Sequence, residues 1–245
     1  MLFPSAEKLL STARLAPYKR AALGNEQACL GLYLDNLRLA RSFYPSLALL
    51  EVAFRNSLHD VLTVSLNSEN WLLTEQTGFM MADSLTYFDR HKGQMVTNQK
   101  ALNMVKEAVR EYKQQRNYVP ASGAAIIAEL PFGFWTSLFS KAYFLLLDKN
   151  PLRAFPHRPR GTTWETINQQ LIAVRRFRNR VYHYEPLCFQ QPPAAVLCFS
   201  QLIQMHRSIV ELLGWISPEL PAWAAETDLV PETLKKLQKK YPLAV

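Results

Sequence analysis

Glycine is scarce in this chain, at 8 of 245 residues, and that shortage argues against an architecture of sheets and tight turns. Cysteine is scarcer still. Cys29, Cys188 and Cys198 are too few and too scattered for a disulfide framework, and no Cys-x-x-Cys pair offers a zinc site, so buried reduced thiols are expected. There is no His-Glu-x-x-His motif and no acidic cluster, so neither a metal nor a cofactor is expected. Glu7 and Lys8 interrupt the stretch where a secretion signal needs an unbroken apolar run. The longest charge-free stretch, Pro186 to Met205, holds three prolines and several glutamines and does not read as a membrane span. A cytoplasmic protein without membrane contact is the expectation.

What is present is apolar residues at helical spacing. Hydrophobic residues make up 49% of the chain, enough for a sizeable core. Ser5 caps an expected first helix that Pro17 ends. A second runs from about Asn25 to Tyr44, and Pro45 breaks or restarts it. Leu47, Leu50, Phe54, Leu58 and Val61 then share one face of a helix over 46–66. Short helices are expected at 83–91 and 122–129, and a longer polar one at 98–116. Pro131 is placed to start a helix through Phe144, in which Phe132, Phe134 and Trp135 read as core or dimer packing and not as a base-stacking platform. An irregular basic loop covers 148–161, and Thr163 opens a helix to about Tyr184. Pro192 and Pro193 precede a last long helix to Leu213, and two short ones follow Ser217. No repeat and no convincing strand alternation is evident. The expected fold is all-α: one helical domain over 1–245, its core roughly 25–215, with a C-terminal extension at 216–245.

The net charge is +8, and its distribution is uneven. Arg153 to Arg180 carries seven arginines and one acid, Glu165, a local net of +6. Such a patch attracts polyanions, phosphate backbones foremost. Arg158, Arg160, Arg175, Arg176 and Arg180 are therefore the candidate RNA-binding residues. Lys235, Lys236, Lys239 and Lys240 read as a solvated terminal helix.

Within the helix over 163–184, Ile167, Leu171, Val174 and Val181 fall on one face when successive residues advance by about 100°. Arg178 lies in the middle of that face, where an unpaired charge is too costly, so it must be paired, sit at an interface or line a cleft. Asn179 and His183 are four apart and neighbours on the other side, about 140° from Arg178 for His183. Pro186 disfavours helix at Glu185, so a frayed last turn is expected at His183.

Arg178-Asn179-Arg180-Val181-Tyr182-His183-Tyr184-Glu185-Pro186 resembles the signature of HEPN-domain ribonucleases, more narrowly that of the Abi-like (abortive infection) family. Three further elements are similar to that family's and come in its order: Arg14-Leu15-Ala16-Pro17-Tyr18, Leu50-Glu51-Val52-Ala53-Phe54-Arg55-Asn56, and Glu129-Leu130-Pro131-Phe132-Gly133-Phe134-Trp135. The chain departs from the pattern at Tyr182, where the family has alanine, and at Tyr184, where it has a second histidine. The resemblance implies a HEPN-like bundle with terminal helical extensions. It implies a metal-independent endoribonuclease that uses the RNA's own 2′-hydroxyl in phage defence or as a toxin. It implies a homodimer, and an antitoxin or phage-derived trigger as partner. Arg178, Asn179 and His183 would carry the reaction, supported by Glu51, Arg55, Tyr184 and Glu185. A catalytically silent RNA- or nucleotide-binding module and a protein-interaction scaffold are the alternatives. Arg55-Asn56-Ser57-Leu58-His59 mimics the motif one residue short and reads as structural, and His91, His157 and His206 read as bystanders.

Overall fold

A computed structural model describes residues 2–117, 119–189 and 196–242. The chain is 68% helical and, among the described residues, has a single two-stranded sheet, so it is predominantly all-α. The helices are α1 (Phe3–Leu10), α2 (Thr12–Ala21), α3 (Glu26–Ser65), α4 (Trp71–Thr74), α5 (Lys100–Gln115), α6 (Gly123–Ile127), α7 (Phe132–Ser137), α8 (Lys141–Leu146), α9 (Trp164–Tyr182), α10 (Ser200–Ile216), α11 (Leu220–Ala225) and α12 (Val230–Lys240). None of them is long and apolar enough to cross a membrane. Two compact units are distinguished. One comprises Met1–Leu50, Arg176–Leu212 and Glu219–Val245; the other comprises Glu51–Arg175 and Leu213–Pro218.

The first unit draws its core from Leu15 and Tyr18 of α2, Leu39, Phe43 and Leu47 of α3, Phe177 and Val181 of α9, Ile209 of α10, and Leu234 and Leu237 of α12. Phe43 meets Phe177 edge-on, with ring centroids 4.7 Å apart. Two prolines expected to end helices lie inside them instead. Pro17 sits within α2 and Pro45 within α3. Proline removes a backbone donor and clashes with the preceding turn, a cost of about 3 kcal/mol. At Pro45 the buried stripe Leu39, Phe43, Leu47 and Leu50 holds the helix through the defect. The buried hydroxyls of Ser42 and Ser46 donate to the carbonyls of Leu39 and Phe43, at 2.7 and 3.1 Å. The break expected at Pro17 falls instead at Ser11, whose φ is 73° and whose Oγ accepts from the Arg14 amide to cap α2.

The lysine-rich C-terminal helix is not wholly solvated. The buried Asp35 carboxylate accepts from Lys240 Nζ at 2.6 Å, from the Tyr241 hydroxyl at 2.8 Å and from Arg38 at 2.6 Å. Burial raises the Asp35 carboxyl, but these hydrogen bonds outweigh it and hold the group below its ordinary value. His206 has a structural partner: its Nε2 lies 2.6 Å from Asp228.

The second unit is built around aromatics. Phe54 stacks on Phe155, and Trp71 stacks on Phe134 and meets Trp135 edge-on. Phe132, Phe134 and Trp135 are buried, as core residues should be. The expected helix through Phe144 is broken between α7 and α8, where Ser140 is extended at φ −63°, ψ 150°. The helix expected over 83–91 is absent beyond a single 3₁₀ turn, Asp83–Leu85. In its place β1 (Thr86–Asp89) pairs antiparallel with β2 (Gln94–Thr97). Asp89 Oδ1 accepts from the amides of His91 and Lys92, and Gly93 supplies the left-handed φ of 63° that closes the turn. His59 is structural: its Nδ1 accepts from the buried Trp71 indole at 3.1 Å, and burial lowers its pKa. Pro192 and Pro193 lie outside the described residues.

Candidate active site

Helix α9 is entered through Thr163, whose Oγ1 accepts from the Thr166 amide at 3.3 Å. Ile167, Leu171, Val174, Phe177 and Val181 are buried along it. Its last turn belongs to the first unit and carries the sequence-derived site. Arg178 is half-buried, and its guanidinium carbon lies 3.9 Å from the centroid of the Tyr182 ring. A mid-stripe arginine is thus accommodated on an aromatic face one turn ahead, where a cation is attracted to the ring's negative charge. Tyr182 in turn stacks on Tyr44 of α3, with centroids 5.4 Å apart and planes 26° apart. Asn179 and His183 are exposed, and the His183 amide donates to the Asn179 carbonyl at 2.9 Å.

The helix end is clamped, not frayed as expected. The Tyr184 amide donates to the Val181 carbonyl at 3.2 Å and the Glu185 amide to the Arg180 carbonyl at 2.9 Å. Tyr184 is left-handed at φ 57°. This is a Schellman closure with His183 at the helix cap and tyrosine where glycine is usual. A left-handed L-residue costs about 1–2 kcal/mol, so the turn must be held from outside. Arg14 Nη1 donates to the Tyr184 carbonyl at 2.6 Å and reaches the His183 carbonyl at 3.4 Å. Asn36, buried in α3, donates through Nδ2 to the Glu185 carbonyl at 3.2 Å. Its Oδ1 accepts from the amides of Leu187 at 2.6 Å and Cys188 at 3.4 Å. Arg180 bonds the Pro186 carbonyl and pairs with Glu185. The glutamate thus lies outside the helix, as Pro186 requires, while the histidine before it stays fixed.

The remaining sequence-derived residues are placed as follows. Arg175 donates to Thr136 Oγ1 at 3.1 Å, and Arg158 to the carbonyls of Leu152 and Phe155 at 3.2 and 2.9 Å. With Arg180 they are engaged within their own units. Arg176 and Arg160 are exposed. Glu51 and Arg55 are half-buried on the second-unit part of α3. Tyr184 is exposed, and its backbone, not its ring, is what Arg14 holds. Cys29 and Cys188 are buried, and burial pushes the Cys188 thiol up to about 12; Cys198 is only half-buried. Among the described residues no three His, Cys, Asp or Glu side chains converge as a metal set.

Three residues beside the site were not singled out from the sequence: Arg14 as a clamp, Asn36 and Tyr44. Asn36 had a usable signal, being polar in the middle of the stripe Leu32, Leu39, Phe43. No family model matches the chain, and neither the curated proteins nor the solved structures include a match.

Proposed function

We propose that the chain is a metal-independent endoribonuclease of the HEPN type, similar to the Abi-like proteins. It would act in the cytoplasm in phage defence or as a toxin under an antitoxin or a phage-derived trigger. The observation that carries this reading is the end of α9. There an exposed imidazole, His183, is held at a hydrogen-bonded helix cap, with Asn179 one turn before it and Arg178 on the same end of the helix. A histidine exchanges protons near neutral pH, and an arginine fork matches the non-bridging oxygens of a phosphate.

In the proposed reaction His183 takes the proton of the 2′-hydroxyl. The 2′-oxygen forms its bond to phosphorus as the bond to the 5′-oxygen breaks, and the leaving oxygen takes a proton from water. The products are a 2′,3′-cyclic phosphate and a 5′-hydroxyl. Arg178 stabilises the charge that develops on the phosphoryl oxygens, and Asn179 orients the imidazole or the phosphate. Arg178 and His183 diverge by about 140° on an ideal helix, so one chain poorly aims both at one phosphate. A homodimer in which Arg178 of one copy faces His183 of the other resolves this.

The test is RNA cleavage by purified protein in excess chelator. Wild type is expected to cut, and His183→Ala and Arg178→Ala to lose cutting while keeping their circular dichroism spectra. Activity that vanishes in chelator and returns with a divalent ion would overturn the mechanism. Binding of RNA without any cutting would favour the silent binding module.

A further inference from the structure

We infer that Tyr44 is a stacking subsite for a base of the same RNA segment whose phosphate Arg178 holds, an inference that rests on the RNA reading above. The observation is a column of planar groups. The Arg178 guanidinium lies on the Tyr182 ring, and Tyr182 lies nearly parallel on Tyr44. Tyr44 is 54% exposed with its ring stacked against Tyr182. A large, largely exposed ring braced by a stacked neighbour is a surface on which a base can stack. Every base has a π-face, so such a platform tolerates sequence.

The local backbone fixes the platform. Tyr44 precedes Pro45 within α3, and the flanking Phe43, Leu47, Ser42 and Ser46 are buried, so the ring is carried on a packed turn. Arg41, exposed and one turn earlier on the same helix, adds a cation beside the ring for the sugar-phosphate backbone. Tyr182 is also one of the two positions where the chain departs from the signature it resembles, and here it supports both the guanidinium and the second ring. The ligand class is a single-stranded ribonucleotide segment whose unpaired base leaves its own stack for that of Tyr44 and Tyr182.

Binding is measured in a His183→Ala background, so that no probe is consumed. The probes are a short labelled oligoadenylate and an abasic ribose-phosphate oligomer of equal length. Tyr44→Ala is expected to weaken oligoadenylate binding about tenfold, the loss of one base–aromatic stack, and to leave abasic binding unchanged. Tyr44→Trp and Tyr44→Phe are expected to retain the preference. Equal loss on both probes, no loss on either, or loss accompanied by dissociation of an oligomer in sedimentation overturns the subsite. If the parent binds neither probe, the subsite and the RNA reading fall together. Base-dependent binding by a wild type that never cuts leaves the subsite standing and removes the nuclease. Normal cutting with no effect of Tyr44→Ala on binding does the reverse.

Discussion

Asn36→Ala tests the clamp on the end of α9 most directly. The side chain is buried and spans the exit turn, donating to the Glu185 carbonyl and accepting from the Leu187 and Cys188 amides. The Leu187 contact, at 2.6 Å between buried groups, is the strongest of the three, and the Cys188 contact at 3.4 Å is marginal. Truncation strands the Leu187 amide without an acceptor, a cost of about 1–3 kcal/mol, while the lost bond to the carbonyl of exposed Glu185 adds about 0.5–1.5 kcal/mol. The expected total is about 2–4 kcal/mol, a large share of the roughly 5–15 kcal/mol that holds a domain folded. With a urea slope of about 1–3 kcal/mol per molar, the midpoint should fall by roughly 1 M or more. Asn36→Asp separates hydrogen bonding from volume. It keeps the shape and the acceptor for Leu187 but sets a carboxylate against the Glu185 carbonyl and beside buried Asp35, so it should do no better than alanine. Urea denaturation followed by circular dichroism decides the matter. A loss below about 1 kcal/mol for both variants would mean the exit turn is held without Asn36, and the clamp argument would be wrong.

Two further outcomes follow from particular groups. His59 accepts the Trp71 indole proton through Nδ1, and its pKa is lowered by burial, so its contribution to stability is full above the ordinary value of 6.5 and is lost as the pH falls from there through the lowered folded value; thermal melts between pH 7 and 5 should show this fall in wild type and a flatter curve in His59→Gln, and parallel curves would refute it. For the composite site, mixing inactive Arg178→Ala with inactive His183→Ala under conditions of subunit exchange should restore some cutting, because one shared site of the mixed dimer has both residues intact; confirmed exchange without recovery, or an active monomer in sedimentation, rules it out.

How much of this was legible in the sequence depends on how local the determining contacts are. Helices α5 and α9 follow from the spacing within their own residues, and the expected boundaries, 98–116 and 163–184, lie close to those observed. Helix α3 was expected to break at Pro45, because the local cost of proline is visible in sequence and the buried stripe on both sides that overcomes it is not. The hairpin was missed for a related reason. Its strands are four residues long and Tyr87, Phe88 and Met95 are exposed, so Tyr87, Phe88, Met95 and Val96 show no alternation to read; only Gly93 after Asp89 hinted at a turn.

The same distinction divides the candidate site. Arg178, Asn179 and His183 lie within one and a half turns of a single helix, and their grouping is a property of spacing. Arg14 and Asn36 reach the exit turn from 170 and 149 residues away, and no short motif relates such positions. Yet the argument that singled out Arg178 applies equally to Asn36. On α3, Leu32, Leu39 and Phe43 place Asn36 within about 40° of the centre of a buried stripe, as Val174 and Val181 place Arg178 on α9. A polar side chain there must find partners or cost the fold several kcal/mol. Arg178 finds the face of Tyr182, and Asn36 finds the backbone just past His183. The two residues out of place on their apolar stripes therefore flank the end of α9, Arg178 within its last turns and Asn36 on the segment that leaves it. One is itself among the groups proposed to carry the chemistry, and the other fixes the segment that follows them.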